Sequence, residues 1–270
     1  VILAFVIRLP YLFTERMGSD EALYAWCAQK IYTQPSIIFS KEIIEYHPPL
    51  FSLILSMGNI YSDPNAAYRM IALVFSLLGI ITIYILGALL SSRFIGLFCA
   101  ILLSFNYSYL INGTLIKIDV PLLVFCNLLL ICLVRTNKTN NSLQHIFIGI
   151  ISALIISLKW SGIVVIPFLV IYYLLFPATQ SLPFKVRKLL TPFSIVICFT
   201  SFLLINNQIQ LEKPLPNVAT ITGTGHVAEP IWYYLGHIHN ILMIPHIIPL
   251  FFYGLYVMWK TKYAQNFLLL

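Results

Sequence analysis

Four short stretches hold residues able to do chemistry in a chain otherwise made of apolar side chains: Gly18-Ser19-Asp20-Glu21, Glu45-Tyr46-His47-Pro48-Pro49-Leu50, Lys117-Ile118-Asp119-Val120-Pro121-Leu122 and Leu158-Lys159-Trp160-Ser161-Gly162. Carboxylates can take a proton from a hydroxyl, and lysine or arginine can neutralise a phosphate. Asp20 and Glu21 precede a predicted helix, Ala22 to Tyr32, so Asp20 or Ser19 is expected to cap that helix. The cap and a base role are compatible, because a carboxylate at a helix N-terminus is held charged and oriented. Asp119 stands directly before an apolar helix with Pro121 in its first turn, and it reads either as a cap or as a second site acid.

Lys159 lies at a predicted turn between two apolar segments, where it either snorkels to the headgroups or serves as a cation for a lipid-borne phosphate. Arg69, one turn into the helix that Asp63-Pro64 starts, and Arg8 are weaker candidates of the same kind. His47 and His226 complete the set, with Glu45 close to His47. A histidine is more often a simple hydrogen-bonding residue than a ligand. A divalent metal built from Glu45, Asp20 or Glu21 and His226 is the sharper alternative. Neither HExxH nor DxD occurs.

The elements that must position these residues are membrane helices. Of 270 residues, 60% are hydrophobic and 9% charged, and mean hydropathy is +0.90. A soluble domain carries about 25% charged residues. A formal charge of +7 does not imply nucleic acid, because lysine and arginine sit singly or in small groups between apolar runs, as cytoplasmic loop charges do. The five cysteines include no CxxC pair, which argues against a zinc ribbon and against a disulfide framework. The chain begins and ends inside apolar runs, as expected of a piece of a longer protein whose first span is cut short.

With about 20 apolar residues needed per span, eight segments are expected to cross: 1–13, 68–90, 93–111, 119–134, 143–159, 161–177, 190–206 and 240–259. Segment 50–61 is too short. If it does not cross, Arg93, Arg135 with Lys138, Lys185 with Arg187 and Lys188, and Lys260 with Lys262 all fall on one side, the cytoplasm. Segment 50–61 then reads as a short helix at the outer surface, started by Pro48-Pro49, with Ser52, Ser56 and Asn59 sharing a face. The expected fold class is an all-α, polytopic transmembrane bundle, one module over 1–270, with an extracytoplasmic first loop, 14–67, carrying short juxtamembrane helices. The loop 207–239 shares that outer side. There the aromatics of Glu229-Pro230-Ile231-Trp232-Tyr233-Tyr234-Leu235 are expected to form an interfacial belt, or to stack on a sugar or gate lipid.

In this order the motifs resemble the polytopic GT-C glycosyltransferases, closest to the protein O-mannosyltransferase-like enzymes and the bacterial lipid A aminoarabinose transferases. The marks are Asp20-Glu21, His47-Pro48-Pro49-Leu50, Arg69, Ile118-Asp119-Val120-Pro121-Leu122, Leu158-Lys159-Trp160-Ser161-Gly162, and His226 before Pro230-Ile231-Trp232-Tyr233-Tyr234-Leu235. The resemblance implies sugar transfer from a polyprenyl- or dolichyl-phosphate donor to a protein or lipid acceptor on the outer face of a membrane, expected to be the prokaryotic plasma membrane. It implies catalytic roles for Asp20, Glu21 and Asp119, and donor phosphate or lipid contacts by His47, Arg69 and Lys159. It also implies a divalent ion held by Glu45 and His226, with Glu45 offset by one residue from the family position. The rival readings are a lipid or solute transporter, which predicts midplane ionisable groups and repeat symmetry, and an inactive scaffold subunit of the same superfamily. Neither transporter feature is evident in the sequence.

Overall fold

A chain segment in lipid has to satisfy its own backbone N–H and C=O groups, which a helix does. The computed structural model describes residues 1–13, 17–40, 43, 47–139, 142–175 and 182–211, all within one compact unit, Val1–Glu212. Among the described residues every regular element is helical and none is a strand. In chain order the helices are α1 (Ile2–Arg8), α2 (Ser19–Thr33), α3 (Leu50–Ser56), α4 (Pro64–Leu90), α5 (Arg93–Phe105), α6 (Tyr107–Asn112), α7 (Asp119–Thr139), α8 (Ser142–Leu158), α9 (Val165–Leu175) and α10 (Leu182–Leu211). Short 3-10 turns follow α1, α2, α3 and α8.

Among the described residues two helices are long and apolar enough to cross a membrane, Pro64–Leu90 and Asp119–Thr136, and the other apolar helices are shorter. Helix α4, with 27 residues, measures about 40 Å at 1.5 Å per residue, against a hydrocarbon core of about 30 Å. It begins sharply because the Asp63 side chain accepts from Asn65 N and Ala66 N, both at 3.1 Å, with Pro64 in the first turn. The expected span 93–111 is not one helix. Asn106 takes an extended backbone and its side chain accepts from Tyr109 N at 2.9 Å, so it caps α6 where an apolar residue would have continued α5. Segment 240–259 lies outside the described residues.

Helix α4 is the spine of the bundle, packing on α5 and on α7; α7 packs on α8, and α8 on α10. The α4–α5 crossing is close enough that a Cβ on Gly87 would stand 2.8 Å from Gly96 Cα, so only glycine fits there. Polar ties lie between helices as well as within them: Asn127 Nδ2 donates to Thr82 Oγ1 at 3.1 Å and Tyr172 OH to Leu133 O at 2.8 Å. Arg8, expected as a weak phosphate cation, is fully buried. Its guanidinium donates to Ser76 Oγ (3.1 Å), Ala4 O (3.0 Å) and Ser104 O (3.4 Å), which turns it inward as a tie between three helices.

Helix α2 lies on α3 and buries Glu21, Tyr24, Cys27, Ala28 and Ile31, a stripe at helical spacing. Burial pushes the Cys27 thiol up to about 11, so this cysteine is a packing residue rather than a nucleophile. The polar face expected of segment 50–61 does exist, but it points inward. Ser52 and Ser56 are buried, and Asn59 donates to Ala28 O at 3.4 Å while accepting from Tyr68 OH at 2.7 Å. The residues left exposed there are Leu53, Met57, Ile60 and Tyr61, a surface suited to lipid and its interface rather than to bulk water.

Candidate active site

Each polar stretch identified in the sequence ends beside one hydrophobic cluster. The cluster contains Tyr24, Ala28, Phe51, Leu55, Tyr68, Ile116, Ile118 and Leu158. Ile118 precedes Asp119, Leu158 precedes Lys159, Tyr24 follows Asp20 by about one helical turn, and Phe51 follows His47-Pro48-Pro49-Leu50. The apolar member of each stretch is buried, which sets its polar neighbour at the rim of a common floor.

At that rim Lys159 Nζ donates to Asp119 Oδ1 at 2.9 Å, with the two side chains 33% and 62% exposed. Lys159 has an extended backbone and stands before the Trp160–Val164 3-10 turn. The turn is tight because a Cβ on Gly162 would lie 2.6 Å from Ile155 O. Asp119 is the first residue of α7, so the pair joins the start of α7 to the end of α8. Lys159 and Asp119 are thus each other's partner.

His47 is half-buried and its ring stacks on Tyr24, with centroids 5.6 Å apart and planes 22° apart. Tyr24 in turn meets Phe51 edge-on at 5.0 Å. Burial lowers the His47 pKa, Lys159 lowers it further, and Asp119 and Asp20 oppose the shift. The imidazole is therefore neutral at pH 7, with one donor and one acceptor nitrogen. Burial, then the charges of Asp119 and Asp20, push the Tyr24 hydroxyl above its ordinary range, so it stays protonated. Asp20 and Asp119 thus act electrostatically on both Tyr24 and His47, and Lys159 acts on His47.

Asp20 is exposed in the first turn of α2. The helix cap expected of Asp20 or Ser19 comes instead from Glu21, whose Oε2 accepts from Gly18 N at 3.0 Å. Asp20 is thereby left for other partners. Glu21 itself is buried, and its Oε1 accepts from Ile116 N at 3.0 Å and lies 3.5 Å from Arg69 Nε. Arg69 is equally buried. The six predicted residues that are described, of eight, thus separate into an accessible set, Asp20, His47, Asp119 and Lys159, and a buried pair, Glu21 and Arg69.

Sequence reasoning missed Tyr24 and the Ile116 N–H. The spacing of Tyr24 from Asp20, four residues on one helix, was a usable signal. A backbone N–H carries none. Glu45, His226 and the aromatic run 229–235 lie outside the described residues, and among those described no three His, Cys, Asp or Glu side chains group as a metal site.

Over residues 46–206, more than half its length, the chain matches the dolichyl-phosphate-mannose-protein mannosyltransferase family. It belongs to that family. The matched segment carries His47, Arg69, Asp119 and Lys159 and begins after Asp20 and Glu21. Membership in the mannosyltransferase family makes this helical chain a member of a membrane glycosyltransferase group, in keeping with its apolar helices. No curated protein and no solved structure matches the chain.

Proposed function

We propose that the chain transfers a sugar from a polyprenyl- or dolichyl-phosphate donor to a hydroxyl of a protein or lipid acceptor. Transfer takes place on the extracytoplasmic face of a membrane, by one inverting displacement. The observation that carries this reading is the exposed Lys159–Asp119 pair beside the cluster that holds Tyr24, on which His47 stacks and which lies one helical turn from Asp20, in a chain of a lipid-phosphate-dependent family.

The Asp20 carboxylate takes the proton from the acceptor hydroxyl as its oxygen attacks C1 of the sugar. The bond between C1 and the phosphate oxygen breaks, and its electron pair leaves with the lipid phosphate. Lys159 supplies positive charge to that leaving phosphate, drawn from its ion pair with Asp119, and Asp119 orients the acceptor. Neutral His47 contributes a hydrogen bond rather than a charge. Because phosphate is a good leaving group, the step needs no carboxylic acid to protonate it, unlike glycoside hydrolysis. Glu45 and His226 remain the proposed ligands of a divalent ion, whose charge would add to that of Lys159.

The test is incubation of membranes containing the full-length protein with a panel of labelled polyprenyl-phosphate sugars, followed by product analysis. The expected result is a new glycosidic bond formed from one of them. Label that crosses the membrane without forming a bond would favour a transporter, and no reaction with any donor would favour a scaffold subunit.

A further inference from the structure

The Glu21 carboxylate spends both oxygens inside the protein, with its side chain 3% exposed and that of Arg69 also 3%. Among the described residues its three partners lie on three separate pieces of chain. Gly18 N–H is two residues before Asp20, Ile116 N–H is three residues before Asp119, and Arg69 is on α4. Successive helical residues point about 100° apart, so fixing Glu21 inward fixes Asp20 outward. Substrate reaching a Glu21 oxygen would have to displace one of these buried contacts.

Stability alone does not account for such a pair, because desolvation of two charges roughly cancels their attraction and apolar residues of similar volume often do as well. Apolar residues do not accept hydrogen bonds from two backbone N–H groups belonging to different segments. We infer that Glu21 and Arg69 form a positioning strut that sets the start of α2 against the connection leading into α7, and act on transfer through Asp20 and Asp119 without touching substrate. The inference rests on the reading of Asp20 as the base. It reassigns Glu21 from reacting carboxylate to positioning residue, and Arg69 from phosphate cation to its partner.

The experiment compares Glu21→Gln, Arg69→Met and the two combined, in the full-length protein in membranes, with amounts normalised. It reads kcat and the donor KM separately. Each single change is expected to lower kcat by about 10²-fold, the size of effect that a 1 Å misplacement of reacting groups produces. Donor KM should stay within about twofold. The combined variant removes both charges of the pair, so it should accumulate even if a single variant does not. Its kcat should be no lower than that of the worse single variant, since the two residues act as a unit.

Three results would overturn the strut. One is a donor KM raised about tenfold or more by Arg69→Met at unchanged kcat, as for a phosphate contact. Another is losses that multiply in the combined variant. The third is a combined variant as fast as wild type. A wild-type protein that makes no product from any lipid donor overturns the proposed function instead, which keeps the two failures apart.

Discussion

Two carboxylate–cation pairs flank the site and differ in almost every physical respect. Glu21 and Arg69 are both 3% exposed and 3.5 Å apart, and Glu21 also holds two backbone N–H groups. Asp119 and Lys159 are closer, at 2.9 Å, yet 62% and 33% exposed. An exposed pair is screened by water and exchanges partners readily, so an incoming phosphate can compete for Lys159. Burial keeps water and an incoming phosphate away from the Glu21–Arg69 pair. Proximity of opposite charges therefore does not reveal a role by itself; access to solvent and to substrate separates a pair that reacts from a pair that holds.

The largest effect is expected from breaking the buried pair on one side. Glu21→Ala or Arg69→Ala removes one member of it, a loss of about 3–5 kcal/mol. Thermal aggregation of the detergent-extracted protein should show it as a sharp drop in the midpoint. An unchanged midpoint would mean that water reaches the pair. Lys159→Met should leave that midpoint almost unmoved, because a solvent-exposed pair contributes about 0–1 kcal/mol. Its effect should instead appear in the donor KM, raised by about 10- to 100-fold for loss of one charge-assisted contact. A KM unchanged by Lys159→Met would remove the phosphate from this side of the site.

Tyr24→Leu removes two ring contacts, each worth about 0.5–1.5 kcal/mol, and frees His47 from its stack. Moderate destabilisation with a lower kcat is expected, whereas Tyr24→Phe should keep the stability and lose only the hydroxyl. The smallest effect belongs to a cap remote from either pair. Asp63→Ala should cost about 1 kcal/mol and leave the kinetic constants alone; a kinetic effect would show that the start of α4 is coupled to the rim.

Much of this was legible in the sequence because polar residues are conspicuous in an apolar chain. Asp20, His47, Asp119 and Lys159 stood out for that reason, and the helices follow the apolar runs. What the sequence did not carry was the direction in which each side chain points. Asp20 and Glu21 are adjacent and of one chemical type, and only Arg69 and the Ile116 N–H decide which of them is buried. The same holds for Ser52, Ser56 and Asn59, whose spacing announced a polar face and whose partners, Ala28 O and Tyr68 OH for Asn59, turned it inward. Asn106 shows a local limit: within an apolar run, one side chain able to cap a helix is enough to break it. For Arg8, the apolar setting suggested a headgroup contact, but the neighbouring helices offered Ser76 Oγ and two carbonyls.

The central claim is that the exposed carboxylate beside the buried pair is the base. It is tested most directly by measuring sugar transfer from a labelled polyprenyl-phosphate donor in membranes holding equal amounts of wild-type protein and Asp20→Asn. The asparagine variant should accumulate normally and form no product above background. Near-normal turnover by Asp20→Asn would contradict the account.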